Sequence, residues 1–124
     1  MSCLFCDLVK HKEKIIYEND KFYAIYDSFP VNLGHVLIIS KRHVLDYFGL
    51  DEQEILALDQ AIREVKAITD KLYKPNGYNI GINNGEVAGQ SIMHLHVHLI
   101  PRYLGDCKNP RGGVRGVIPE KQKY

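Results

Sequence analysis

The longest regular pattern of apolar positions follows Asp51, and it predicts an amphipathic helix. Asp51 can accept a hydrogen bond at the start of this helix, and Glu54 three residues later completes a capping box. The turn formers Pro75-Asn76-Gly77 predict where the helix ends. Steps of three and four residues place the apolar side chains on one stripe, which consists of Ile55, Leu58, Ala61, Ile62, Val65, Ile68 and Leu72.

Shorter apolar runs on both sides of this helix predict β-strands. Each run is bounded by turn residues or by a change in hydrophobic pattern. The predicted strands are Ile15 to Glu18, Phe22 to Tyr26, His35 to Ile39, Tyr78 to Ile82 and His94 to Ile100. Asn19-Asp20 forms a turn between the first two strands, and Pro101 is expected to end the last.

The remaining segments complete the predicted architecture. Cys3 to Lys10 is expected to form a short helix, and loops are expected at Pro30 to Gly34 and at Asn83 to Ser91. From about Gly105 to Tyr124 the chain is rich in glycine and charge, which favours an extended tail. The order of elements predicts an α+β fold: a mainly antiparallel five-stranded sheet with one long helix and a short N-terminal helix.

Length and composition narrow the class of protein. With 124 residues, 45% hydrophobic and 25% charged, the chain is predicted to be a single domain, 1–124, with a C-terminal tail from about residue 105. A formal net charge of +1 argues against a nucleic-acid-binding surface. We find neither a membrane-spanning apolar stretch nor a signal peptide, and three cysteines fit a reducing compartment, so we expect a cytoplasmic protein.

Three histidines alternate with apolar residues in His94-Leu95-His96-Val97-His98-Leu99-Ile100. In a β-strand this pattern places the three imidazoles on one face, spaced by roughly 6.5 Å. The residues alone leave three interpretations open. The histidines are polar positions of a half-exposed strand, or they bind a metal ion as a His-x-His chelate, or one is a nucleophile whose neighbours bind the reacting group.

This run resembles the signature of the histidine triad family of nucleotide hydrolases and transferases. His94 to Ile100 match the pattern His-φ-His-φ-His-φ-φ, where φ is apolar, at every position. Gly89-Gln90-Ser91 is similar to the loop that precedes the triad in that family. The similarity extends from Cys3 to about Arg102 and includes a second block, formed by Tyr26-Asp27-Ser28-Phe29-Pro30, Gly34-His35-Val36-Leu37-Ile38-Ile39 and Lys41-Arg42-His43.

The resemblance implies nucleophilic catalysis by the middle histidine. His96 would attack the α-phosphorus of a nucleotide, expel the leaving group and form a nucleotidyl-histidine that water resolves. The resemblance also implies that the backbone carbonyl of His94 accepts a hydrogen bond from His96, which fixes the tautomer. His98 and His35 would contact the phosphate oxygens.

The resemblance implies further substrate contacts. Asp27 would bind the ribose hydroxyls, with Asn83 near ribose and phosphate, while Gln90 and Ser91 would bind the phosphate or the leaving group. The nucleobase would lie in an apolar cleft, although each candidate would serve equally well in the core. These candidates are Leu4, Phe5, Leu8 and Ile25.

Cys3-x-x-Cys6 alone is compatible with a redox pair, a metal site or an incidental spacing. Several members of the resembled family bind zinc through two N-terminal cysteines and two histidines, which here are Cys3, Cys6, His43 and His94. Such a site is closed and tetrahedral, so the zinc would be structural and would leave no position for water or substrate. No organic cofactor is expected, and Cys107 is expected to be a free thiol.

Several functions remain candidates at this point. The main prediction is a nucleotide phosphoramidase that releases AMP, and the alternative is a dinucleoside polyphosphate hydrolase. A nucleotide-binding or scaffold protein with incidental catalysis, and a zinc hydrolase using the triad as ligands, are hypotheses of other classes. The resemblance implies a homodimer with a nucleotide as its small-molecule partner, and we expect neither nucleic acid nor membrane. The stretch Arg111 to Gly116 is compatible with a polyphosphate contact, a dimer contact or an ordinary surface tail.

Overall fold

A five-stranded antiparallel sheet forms the centre of the fold. The computed structural model describes residues 3–124. Its strands are β1 (Tyr17–Glu18), β2 (Phe22–Tyr26), β3 (Val36–Ser40), β4 (Gly77–Gly81) and β5 (His96–Arg102). They lie in the order β1-β2-β3-β5-β4, and each neighbouring pair is antiparallel. The helices are α1 (Leu4–Leu8) and α2 (Glu52–Tyr73). The predicted α+β class is therefore confirmed.

The long helix begins as predicted and ends slightly earlier. Asp51 and Glu54 form the predicted capping box, and Lys74 ends α2 in a left-handed conformation with φ 49°. The buried face differs from the predicted stripe at both ends, where Glu54 and Thr69 are buried and Ile55 and Leu72 are exposed. Thr69 is accommodated there because its hydroxyl bonds to the carbonyl of Val65 and the hydroxyl of Tyr78.

The two faces of the sheet carry separate hydrophobic clusters. One face packs against α2 and contains Phe22, Ala24, Val36, Ile38, Leu95, Val97 and Leu99, which meet Leu58, Ala61 and Val65 of the helix. The other face carries Phe5, Tyr23, Ile25, Leu37 and Ile39. The buried hydroxyl of Tyr23 donates to the carbonyl of Phe5 and so fastens α1 to this second face. His96 and His98 belong to the second face because they lie opposite Ile39 and Leu37.

The position of β5 corrects the sequence prediction. The strand runs from His96 to Arg102, so His94 precedes it and Pro101 lies inside it, opposite Tyr78 of β4. Asn32 donates to the carbonyl of Pro101 on the side away from β4. Since the nitrogen of a strand residue points the same way as its carbonyl, the missing N–H of Pro101 removes no bond to β4. Pairing with β3 has already stopped at Leu99.

The other boundaries shift by one or two residues. Of the predicted Ile15 to Glu18 strand, only Tyr17–Glu18 pairs with β2, and the predicted Cys3 to Lys10 helix covers Leu4–Leu8. A short 3₁₀ turn, Glu86–Ala88, lies inside the predicted loop Asn83 to Ser91, and two further 3₁₀ turns lie at Lys12–Lys14 and Tyr47–Gly49. Within residues 3–124, no helix has the length and apolar character needed to cross a membrane.

The prediction of an extended tail is wrong. The C-terminal segment (residues 112–122) forms two 3₁₀ helices, Gly113–Val117 and Pro119–Lys121. A Cβ at Gly112, whose φ is 89°, would overlap the carbonyl oxygen of Gln122, so glycine permits the close approach. Arg115 donates to the carbonyl of Lys121 at 3.0 Å and lies over the ring of Tyr124. These internal contacts fold the segment without a core of its own.

Candidate functional site

The first histidine of the triad faces a cluster of sulfur and nitrogen ligands. His94 is fully buried, and its Nε2 donates to the carbonyl of Ser40 at 2.7 Å. Burial lowers the pKa of His94 and keeps the ring neutral. Its Nδ1 therefore carries a lone pair, which lies 3.3 Å from Cys3 Sγ, 3.6 Å from Cys6 Sγ and 3.1 Å from His43 Nδ1.

The geometry of this cluster fits a zinc ion. With Zn–S bonds of about 2.3 Å and Zn–N bonds of about 2.0–2.1 Å, a tetrahedral site separates sulfur from nitrogen by roughly 3.5 Å and two nitrogens by roughly 3.3 Å. The distances at His94 match these tetrahedral edges to within a few tenths of an ångström, as does the 3.3 Å between Cys6 Sγ and His43 Nδ1. The four residues predicted as ligands are thus brought together by α1 and its N-cap, the loop after β3 and the segment just before β5.

The middle histidine has the tautomer that a nucleophile requires. His96 Nδ1 lies 2.9 Å from the carbonyl oxygen of His94, as the resemblance implies. Because a carbonyl only accepts hydrogen bonds, Nδ1 carries the proton and Nε2 keeps its lone pair. The ring of Phe5 packs edge-on against His96, with centroids 5.1 Å apart, and limits its rotation.

The third histidine, His98, has the opposite tautomer to His96, with its proton on Nε2. The backbone N–H of Val31 donates to His35 Nδ1 at 3.0 Å, so the proton of neutral His35 is on Nε2. That Nε2 lies 2.9 Å from His98 Nδ1, which accepts the bond and leaves a free Nε2–H on His98. Burial, followed by the neighbouring His35 and His96, lowers the pKa of His98 to about 4. His98 is therefore a neutral donor at pH 7.

Asp27 lies beside this pair without turning it into a metal site. Its Oδ2 is 3.4 Å from His35 Nε2, so that Asp27, His35 and His98 could converge on one ion. The Val31 N–H occupies the lone pair of His35 Nδ1, so the proton of His35 resides on the nitrogen that would have to bind the ion. The arrangement is a chain of hydrogen-bond donors rather than a ligand set.

A cleft of about 520 Å³ brings several predicted residues together. Asp27, His35, Asn83 and His98 line its polar part. The apolar part is formed by Phe29, Val31, Ile80, Ile100, Val114 and Val117. Arg111 and Arg115 do not line it, since both guanidinium groups lie over the ring of Tyr124. The cleft can hold a small polar ligand with an apolar portion.

The predicted base-binding residues are distributed differently. Phe5 and Ile25 are buried in the second hydrophobic cluster, Leu8 packs against it, and Leu4 is 55% exposed. None of these four side chains lines the cleft of His98. For Phe5 and Ile25, the structure shows the core packing that the sequence left open as an alternative.

The two residues of the loop before the triad have contrasting surroundings. Ser91 is exposed, whereas Gln90 is 2% exposed. The side-chain amide of Gln90 bonds to backbone groups of Leu45, Gly85 and Ile92. This environment differs from the phosphate contact that the resemblance implies for Gln90.

Sequence reasoning missed Val114 and Val117, because the segment that carries them was predicted to be extended. The available signal was the spacing of Gly112, Gly113 and Gly116, which indicates close backbone packing. Cys107 is exposed and lies 3.3 Å from a guanidinium nitrogen of Arg102, away from the other two cysteines.

Comparison with known proteins agrees with this geometry. The HIT domain family model matches residues 9–105. An uncharacterized 16.1 kDa HIT-like protein of Mycoplasma pneumoniae is 35% identical over 89% of this chain and 80% of the relative. Adenylylsulfatase HINT3 of Arabidopsis thaliana is 36% identical over 85% of this chain and 54% of the relative. AP-4-A phosphorylase of Mycobacterium tuberculosis is 39% identical over 68% of this chain and 44% of the relative.

Solved structures show the same architecture. A hypothetical histidine triad nucleotide-binding protein from Sulfolobus tokodaii superposes with a TM-score of 0.77 at 38% identity, over 83% of this chain and 70% of the other. A zinc-bound histidine triad family protein from Mycobacterium smegmatis superposes with a TM-score of 0.76 at 33% identity, over 86% of this chain and 78% of the other.

Proposed function

The chain belongs to the HIT domain family, and from that premise we propose that it is a nucleotide phosphoramidase that releases AMP through a nucleotidyl-histidine intermediate. The observation that carries the proposal is the hydrogen bond between His96 Nδ1 and the carbonyl of His94. It leaves the lone pair of the neutral ring on Nε2, the state required for attack on phosphorus.

The reaction proceeds in two displacements. In the first, His96 Nε2 forms a bond to the α-phosphorus while the bond from phosphorus to the leaving amine breaks. The amine leaves with the bonding electron pair and takes up a proton from solvent, and the His94 carbonyl stabilises the positive charge that develops on the His96 ring. In the second, water attacks phosphorus, the phosphorus–Nε2 bond breaks and returns its electron pair to Nε2, a proton of the water passes to solvent, and AMP is released.

His98 supplies the hydrogen-bond donor for this reaction. Its Nε2–H is free because Nδ1 accepts from His35, so it can donate to a phosphoryl oxygen or to the departing nitrogen. Because a second side chain already holds this donor in place, it does not need to reorient as negative charge develops in the transition state, and no reorganisation energy is spent. His35 therefore positions His98 directly, and its low exposure prevents water from competing for Nε2.

The polar side chains of the cleft serve the rest of the nucleotide. We assign Asp27 to the ribose hydroxyls, since its Oδ1 is held by the N–H of Phe29 at 2.8 Å and Oδ2 faces the cleft next to His35. Asn83 lines the same cleft, and exposed Ser91 lies in the loop before the triad. We assign both to the phosphate. Leu4 and Leu8 lie outside this cleft, and we assign them to the rim of a separate base site because Leu4 is exposed and Leu8 is only partly buried.

Zinc has a structural role in this proposal. Cys3, Cys6, His43 and His94 would hold the ion, and its four protein ligands leave no coordination position for substrate. A bound zinc ion supplies cross-linking between the N-terminal helix and the sheet. His94 is common to both parts of the site, because its ring belongs to the ligand set and its carbonyl orients His96.

A second candidate is hydrolysis of dinucleoside polyphosphates. It is supported by a relative whose name describes an AP-4-A phosphorylase, although this chain spans 44% of that protein. The same two displacements apply with a nucleotide as the leaving group. The homodimer, the cytoplasmic location and the absence of nucleic-acid binding remain predictions.

The proposal is tested by AMP release from adenosine 5′-phosphoramidate, with diadenosine polyphosphates measured in parallel. Wild type should turn over, and His96→Ala should lose turnover while retaining its circular dichroism spectrum and its affinity for AMP. The faster substrate identifies the leaving group. Turnover that survives in His96→Ala would contradict the nucleophile assignment, and a folded wild type that binds AMP without turning over any of these substrates would favour a binding role.

A further inference from the structure

Gln90 is a polar side chain that is buried and fully engaged with the backbone. Its Nε2 donates to the carbonyls of Leu45 at 2.7 Å and Ile92 at 3.1 Å, and its Oε1 accepts from the N–H of Gly85 at 2.9 Å. Both amide hydrogens are therefore used. The side chain has no donor left for a phosphate oxygen.

These bonds join two loops that carry functional residues. Leu45 belongs to the ligand loop (residues 41–50), two residues after His43. Gly85 and Ile92 belong to the phosphate loop (residues 83–93), which also contains Asn83 and Ser91. A second bridge, from the N–H of Tyr47 to the side chain of Asn84 at 3.0 Å, is at the surface end of the same contact.

The bonds of Gln90 also close the phosphate loop on itself. Its backbone N–H donates to the carbonyl of Gly85, whose own N–H donates to the Gln90 side chain. Gly85 has a φ of 98°, which glycine adopts without strain, but glycine also has the greatest backbone freedom, so the loop relies on these bonds to keep one conformation. Ser91 follows directly in the chain, and its direction is set by this closed turn.

We propose that Gln90 is a positioning residue that fixes the phosphate loop against the ligand loop, and thereby places Asn83 and Ser91, without touching the substrate. The inference rests on the proposed function for the identity of the ligand, a nucleoside 5′-monophosphate. The hydrogen bonds of Gln90 are observed independently of that function. Removing the amide takes from the Gly85 N–H and from the carbonyls of Leu45 and Ile92 the part-buried hydrogen bonds that they make to Gln90, which is more costly than losing an exposed contact.

The experiment compares Gln90→Met with Gln60→Met. Gln60 is exposed on α2 and far from the cleft, so the control makes the same chemical change without the bonds. We measure amide hydrogen exchange at Gly85 and calorimetric AMP affinity. Gln90→Met should accelerate exchange at Gly85 and weaken AMP binding by about tenfold each, and Gln60→Met should change neither.

A second variant separates positioning from general loss of stability. Gln90→Glu places a carboxylate against two carbonyl oxygens, which raises the pKa of that Glu. Once protonated, the side chain can donate to the Leu45 carbonyl and accept from Gly85 N–H. As the pH is lowered, Gln90→Glu should therefore regain both slow Gly85 exchange and AMP affinity, each measured relative to wild type at the same pH. Gln90→Met should regain neither.

Three results would overturn the inference. Weaker AMP binding with unchanged Gly85 exchange would mean that Gln90 contacts the ligand. Faster Gly85 exchange with unchanged AMP affinity would mean that the bonds serve stability alone. If wild type does not bind AMP, the proposed function and the positioning role fail together, while exchange at Gly85 still reports whether the loop contact exists.

Discussion

The two ends of the histidine triad have the same residue type and opposite hydrogen-bond polarity. At one end, His94 donates from Nε2 to a carbonyl and directs the lone pair of Nδ1 toward two sulfurs and a nitrogen. At the other end, His98 accepts on Nδ1 from His35 and directs an N–H outward. The first arrangement suits a metal cation, and the second suits a phosphate oxygen.

The difference arises from backbone groups rather than from the imidazoles. The Ser40 carbonyl sets the tautomer of His94, and the Val31 N–H, through His35, sets that of His98. His96 lies between them and takes its tautomer from the His94 carbonyl. The three alternating histidines therefore have three different roles, because a different backbone group sets the tautomer of each.

The largest expected effect comes from breaking the metal end. Cys6→Ser should lose the zinc equivalent and lower the melting temperature by roughly 10 °C or more, because ligand binding to a structural site contributes folding free energy. Metal content by mass spectrometry and thermal unfolding by circular dichroism measure both effects. Cys107→Ser is the matched control, since Cys107 is exposed and outside the cluster. Full zinc content in Cys6→Ser would refute the assigned ligand set.

The next effect comes from the donor end, and it should fall on turnover instead. His98→Leu removes the Nε2–H donor, since leucine has no N–H, and should reduce kcat by about 10²–10³-fold, as expected for the loss of one preorganised donor. Zinc content should stay at the wild-type level, because the cluster at His94 does not involve His98. Loss of zinc from His98→Leu would show that the two ends are not independent.

The same variant makes the comparison sensitive to pH. Burial, His35 and His96 lower the pKa of His98 to about 4, against 6.5 for an unperturbed histidine, and Asp27 opposes the shift. Between these values the unfolded chain binds a proton that the native state does not, so stability falls as the pH drops from about 6.5 toward 4. The shift in urea midpoint between pH 7 and pH 5 should be smaller for His98→Leu, which has no titrating group at this position, than for wild type. Equal shifts in the two proteins would contradict the lowered pKa of His98.

Local sequence signals were sufficient where local physics decides the structure. The Asp51–Glu54 capping box and the apolar steps from Leu58 to Val65 depend on neighbours within one helix, and they are observed as predicted. The alternation in β5 placed His96 and His98 on one face for the same reason. Cys3, Cys6, His43 and His94 could be grouped only through the resemblance, because they are distant in the chain.

The sequence was insufficient where a tertiary partner decides. Gln90 looks like any exposed loop amide until Leu45 and Gly85 are brought beside it. Pro101 is normally a strand terminator, but it fits within β5 because β3 has already ended on its nitrogen side. The fold of the C-terminal segment likewise depends on contacts of Gly112 and Gly116 with Gln122, more than five residues away.

The smallest expected effect concerns this C-terminal segment, which brings Val114 and Val117 to the donor end only. Gly112→Ala would overlap the Gln122 carbonyl and should displace the segment, whereas Gly105→Ala, at φ 81°, meets nothing within 4 Å and is the matched control. Both variants have the cost of a left-handed alanine, so a shared loss of stability cancels in the comparison. If bound AMP covers about half of each valine side chain, the two valines together contribute about 1 kcal/mol to binding. Displacing them should therefore weaken AMP affinity roughly fivefold in Gly112→Ala, and Gly105→Ala should leave it unchanged. Equal affinities in the two variants would show that the segment lies beside the cleft without contributing to binding, and unchanged zinc in both would keep the metal end separate from it.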